Sequence, residues 1–195
     1  MEEVVRVVMA RNEESFSFYY QETIDQWARE GKSVTFFDPE KEVPDLSDCS
    51  LLYLPGGYPE KHLDALVEAE QTREAIRNYA ECEGRIVAEC GGMMYLCQSI
   101  ITDDGEFPMC GVLPYRITAR KMDRKLSLGY RRFTLEGKEC RGHEFHYTQF
   151  LGDVPSSAVQ VFNAKGEPVP TPVFKYKQVL ASYTHIYNIG DIAGI

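Results

Sequence analysis

No two of the six cysteines form a C-x-x-C pair: Cys49, Cys82, Cys90, Cys97, Cys110 and Cys140 are scattered. Their spacing excludes zinc ribbons and thioredoxin-like redox motifs. A chain of 195 residues also buries enough surface to fold without disulfide staples. Basic charge is scarce. Against 30 acidic residues stand 21 basic ones, a formal net charge of -9, the wrong sign for a broad nucleic-acid surface. The one basic cluster, Arg116 to Arg132, contains apolar and acidic residues and reads first as a solvated face, second as a local site for an anionic partner. No run approaches the roughly 18 apolar residues of a membrane span, and the acidic start, MEEVVRVVMA, holds too short an apolar run for a signal peptide. The expectation is a cytoplasmic protein with neither membrane nor nucleic acid as partner. There is no G-x-x-x-x-G-K-[ST] phosphate loop, no internal repeat and no linker, so residues 1–195 read as one domain.

What is present alternates. VVRVVMA (4–10), SVTFFDP (33–39), DCSLLYLPGG (48–57) and RIVAEC (85–90) are apolar, β-rich runs. Between them lie helix-prone stretches at 14–32, 58–84 and 91–100, the first two ended by Gly31 and Gly84. This is the pattern of a parallel sheet covered by helices on both faces. After Asp103 the runs become strand-like and turn-rich, which predicts an antiparallel or mixed extension in the second half.

Two glycine turns end strands, LPGGYPE (54–60) and AECGGMM (88–94). In doubly wound sheets ligands gather at the carboxyl ends of the strands, where both turns belong. A nucleophile on a strand-to-helix turn needs small neighbours, and Ala88, Gly91 and Gly92 supply them. The start of a helix would lower the pKa of the Cys90 thiol. The amides of Gly91 and Gly57 could form the two arms of an oxyanion hole. By spacing alone Cys90 reads equally as a buried structural thiol. Only four histidines are available as its base. His62 sits on a charged helix and reads as solvated. His143 and His146, three apart on a strand, face opposite sides and do not suit one metal. His185, near the end of the last strand-like run, reaches Cys90 if the two strands are neighbours.

In order, LPGGYPE, AECGGMMYL, LGYR, RGHEFHYT and ASYTHIY resemble the glutaminase domains of cobyrinic acid a,c-diamide synthases, a branch of the class I glutamine amidotransferases. The resemblance covers almost the whole chain. It implies an α/β, flavodoxin-like three-layer fold, with a mostly parallel sheet and an antiparallel extension in the second half. It implies Cys90 as nucleophile, His185 as base, and Gly57 and Gly91 as oxyanion donors. The implied substrate is L-glutamine, hydrolysed through a cysteinyl thioester. The ammonia passes to a synthetase domain or subunit that amidates the a- and c-carboxylates of a tetrapyrrole, cobyrinate, in cobalamin biosynthesis. No cofactor or metal is implied in this domain; ATP and magnesium are expected in the synthetase half, which has no counterpart in this sequence. Sirohydrochlorin-type acceptors and a non-catalytic docking domain are the alternative readings. Many class I relatives carry H-x-E at the histidine; here that position is Tyr187, which leaves Glu89 and Glu144 as candidate third members of the triad.

Overall fold

The computed structural model describes residues 3–195; residues 1 and 2, part of the acidic start, lie outside the described residues. In chain order the first half forms β1 (Arg6–Ala10), α1 (Gln21–Arg29), β2 (Ser33–Phe37), β3 (Leu51–Leu54), α2 (Leu63–Glu68), α3 (Glu70–Glu81), β4 (Ile86–Glu89) and α4 (Gly91–Leu96). The second half forms β5 (Ser99–Thr102), β6 (Gly105–Pro108), β7 (Arg116–Thr118), β8 (Ser127–Leu135), β9 (Lys138–His146), β10 (Gln149–Phe150), β11 (Val161–Phe162), β12 (Pro168–Val169), β13 (Val173–Tyr176), β14 (Val179–Ser182), β15 (His185–Ile186) and α5 (Ile189–Ile192).

Six strands build the central sheet in the order β13-β14-β4-β3-β1-β2. Every neighbouring pair is parallel except β13 with β14 at the edge. The strands are apolar throughout because both faces are covered. Alternation sends Val8, Ala10, Leu52, Leu54, Ile86 and Ala88 into one core, under α2, α3 and α4. Val7, Met9, Leu51, Tyr53 and Val87 enter the other core, with Trp27 of α1 and Ile189 of α5. The antiparallel extension is the edge strand β13. The remaining strands of the second half form two separate sheets, β10-β7-β5-β6 and β12-β11-β8-β9-β15. Phe133, Cys140 and Val161 of the latter pack into the second core, so this sheet shares with α1 and α5 the task of covering that face.

Three helices differ from the sequence reading. The stretch at 14–32 becomes helical only at Gln21. Before it, the Asn12 side chain accepts the N–H groups of Glu14 and Phe16, and Phe18 bridges to Gly56, which hold 12–18 as a folded loop. The stretch at 58–84 breaks into a short turn, α2 and α3. The buried Arg73 guanidinium donates to the carbonyls of Leu66, Val67 and Met109, which closes the end of α2. Glu83, not Gly84, takes the left-handed position that ends α3, at φ +64°. Gly84 follows because a Cβ there would lie 2.5 Å from Tyr79. The third helix stops at Leu96, since Ser99 begins a strand of another sheet.

Candidate active site

Strands β3, β4 and β14 deliver their carboxyl ends to one edge of the sheet. At the end of β4, Cys90 has φ +48° and ψ -110°. These angles resemble the first central position of a type II′ turn, which glycine normally fills. The conformation holds because Cys90 N–H donates to Ser182 of β14 and the Cys90 carbonyl accepts from Met94 in α4. A side chain forced into that region stores strain of order 1–3 kcal/mol, a cost tolerated where geometry serves function. Close packing requires the glycines around it. A Cβ on Gly91 would lie 2.7 Å from the Gly57 carbonyl oxygen, and one on Gly92 would strike the Leu54 carbonyl.

Cys90, Gly57 and His185 line one cavity of about 230 Å³. The strand carrying His185 is not in the central sheet. The chain leaves β14, the neighbour of β4, at Ser182, and three residues later β15 pairs His185 with His143 of β9. The imidazole thereby lines the same cavity as Cys90. Rings, not a carboxylate, set its orientation. His143 stacks on it at 4.9 Å with an interplanar angle of 20°, and Phe18 meets it edge-on at 4.5 Å. Gly56 leaves room for it, since a Cβ there would strike the ring. His143 is itself held by Tyr20, Oη to Nδ1 at 2.8 Å, and stacks on Tyr187. The His185 Nδ1 atom is buried without a hydrogen-bond partner.

Neither candidate carboxylate reaches His185. Buried Glu89 accepts from the Tyr53 hydroxyl and from the Ile186 N–H. Burial raises its pKa to about 8 against those two donors. Glu144 accepts from Arg131, from Thr171 and from His146 Nε2 at 2.7 Å. Burial pushes its carboxyl up, but these hydrogen bonds outweigh it and the net shift is downward. His146 donates from Nδ1 to the Thr148 carbonyl and lies flat on Tyr183 at 3.5 Å. Of this network, His146 and Thr148 line the cavity.

The expected lowering of the Cys90 pKa is not what the environment produces. Burial pushes the thiol up, the charge of Glu60 adds to that, and the Gly91 N–H opposes it. Burial also lowers the His185 pKa to about 3, reinforced by His143 and His146. The Cys90 thiol donates to the Phe145 carbonyl at 3.8 Å, and a neutral imidazole, able to accept a proton, lines the same cavity.

His62 is not a free surface group. Its Nε2 lies 2.7 Å from Glu14 and its Nδ1 3.4 Å from Glu40. With Asn12 it anchors the loop that brings Ser17 and Phe18 to the cavity. Those two residues were hidden in the sequence by the helical pattern around them. The remaining cysteines, Cys49, Cys82, Cys97, Cys110 and Cys140, are all unpaired. No helix among the described residues is long and apolar enough to cross a membrane.

A sheet of this order with a strained cysteine at its central strand end is the arrangement of an α/β enzyme that holds its nucleophile on a strand-to-helix turn. A glutamine amidotransferase from Thermotoga maritima superposes with a TM-score of 0.61 over 94% of this chain and 76% of its own, at 19% identity. Residues 6–191 match the CobB/CobQ-like glutamine amidotransferase domain, and the chain belongs to that family. It is similar to the cobyrinate a,c-diamide synthase of Thermoplasma acidophilum, 36% identical over 91% of this chain and 41% of the relative. It is also similar to the hydrogenobyrinate a,c-diamide synthase of Pseudomonas aeruginosa, 37% identical over 95% of this chain and 42% of the relative. The chain therefore spans about two fifths of the length of these curated relatives.

Proposed function

We propose that this domain hydrolyses L-glutamine and supplies the ammonia for amidation of the a- and c-carboxylates of a corrin precursor of cobalamin, of the cobyrinate type. The observation that carries the reading is the shared cavity of Cys90 and His185, with the cysteine on a strained turn at a strand end. Cys90 Sγ attacks the side-chain amide carbon while its proton passes to His185. The tetrahedral oxyanion is held by the amides of Gly57 and Gly91. His185 then protonates the departing nitrogen, and ammonia leaves a glutamyl thioester. Water, deprotonated by the same imidazole, hydrolyses the thioester to glutamate and returns the thiol. The ammonia is consumed by an ATP- and magnesium-dependent synthetase, either a second domain or a separate subunit. The diamide synthase activity and the corrin acceptor are inferred from the names of the longer relatives, and ATP and magnesium from the family resemblance. Six unpaired thiols suit a reducing cytoplasm.

The test is covalent mapping with 6-diazo-5-oxo-L-norleucine, an electrophilic glutamine mimic. The expected result is one adduct at Cys90, blocked by excess glutamine, absent in Cys90→Ser and slowed in His185→Ala. Adducts spread over several cysteines and indifferent to glutamine would overturn the reading.

A further inference from the structure

The cavity beside Cys90 contains a single carboxyl group. Glu60 lines it, on the short turn that follows LPGGY, and no other lining residue is acidic. Its Oε2 atom is buried without a hydrogen-bond partner. Burial pushes this carboxyl above the usual range, and nearby Glu14 adds to the shift. The neighbouring cations do not neutralise it by contact: the Lys61 ammonium lies over the Tyr58 ring at 4.5 Å, and the Arg124 guanidinium over the Tyr147 ring at 4.9 Å. A carboxyl so placed is short of a cation, and a ligand can supply one.

Glutamine is an amide at one end and a zwitterion at the other. With the amide carbon at Cys90, its α-ammonium has one anionic side chain among the residues lining the same cavity, Glu60. We propose that Glu60 is the residue that selects the substrate: its carboxylate accepts the α-ammonium of glutamine and thereby admits an amide borne on an α-amino acid over the same amide without the amino group. The assignment rests on the glutaminase reading above. Arg124, stacked on the cavity-lining Tyr147, is the cation available to the α-carboxylate at the rim. A purely structural role for Glu60, capping its own turn, would affect every substrate alike.

The experiment compares ammonia release from L-glutamine and from 4-carbamoylbutanoate, which has the same amide and carboxylate but no amino group. It uses this domain together with its synthetase half, with wild type, Glu60→Gln and Glu60→Asp. Wild type should favour glutamine by about 10- to 100-fold in kcat/KM, the value of one charge-assisted hydrogen bond. Glu60→Gln should raise KM for glutamine by a similar factor and leave 4-carbamoylbutanoate within about twofold. Glu60→Asp should recover part of the preference. If Glu60→Gln weakens both substrates equally, or leaves the preference intact, the assignment is wrong while the glutaminase reading stands. If wild type releases ammonia from neither compound, the glutaminase reading falls and the assignment with it.

Discussion

Cys90 occupies a backbone conformation that suits glycine better than any L side chain. Its cost can be measured apart from chemistry. Cys90→Gly should be more stable than Cys90→Ala by about 1 kcal/mol in urea unfolding, despite the entropy glycine loses on folding. Equal stabilities would show that the turn is unstrained. The orientation of His185 depends on a neighbour with no side chain. Gly56→Ala would place a methyl group against the imidazole. With His185 as the proposed base, the expected outcome is a fall in kcat of at least about 100-fold with near-native stability. A fully active Gly56→Ala would show that the ring position is unimportant. Cys90 and the glycine turns were legible in the sequence because tight turns demand small residues there. The environment of the thiol was not legible, because burial and the charge of Glu60 arise only when distant segments close around it.

Helices show where local pattern competes with long-range hydrogen bonding. The stretch at 58–84 has helical composition throughout, yet it breaks at Ala69 between α2 and α3. Arg73 stabilises that break by donating to three carbonyls, one of them in the segment after β6. Arg73→Met should lower stability by about 2–4 kcal/mol, because buried carbonyls lose their donors. The urea midpoint would report it, and a change within about 0.5 kcal/mol would mean that water replaces the guanidinium. The loop at 12–18 follows the same rule: Asn12 binds two backbone N–H groups that a helix would have used differently. Parallel strands were easier to read, since burial on both faces makes them continuous apolar runs.

At the scale of the whole molecule, the second half adds sheets that seal the site and bury Glu89 beneath it. The buried carboxyl has its pKa raised from 4.5 to about 8. The folded state holds its proton where the unfolded chain has released it. The stability this contributes is complete below pH 4.5 and is lost as the pH rises toward 8. Glu89→Gln, which keeps the hydrogen-bond shape and cannot ionise, should gain on wild type by about 3 kcal/mol between pH 5 and pH 8. Parallel unfolding curves at both pH values would show instead that Glu89 titrates as an ordinary carboxylate.

The sequence alone determined the alternation of strands and helices, the two glycine turns and the short list of candidate thiols and imidazoles. These follow from local rules: apolar periodicity, small residues at tight turns and the scarcity of histidine. Only the tertiary structure decided that the last two strands part company after β14, so that His185 joins β9 and stacks on His143. It also decided that Glu89 serves Tyr53 and the Ile186 amide, and that Glu60 lines the cavity while His62 does not. Each of these depends on pairing between residues far apart in the chain, and no local pattern encodes which distant partner removes a given side chain from water.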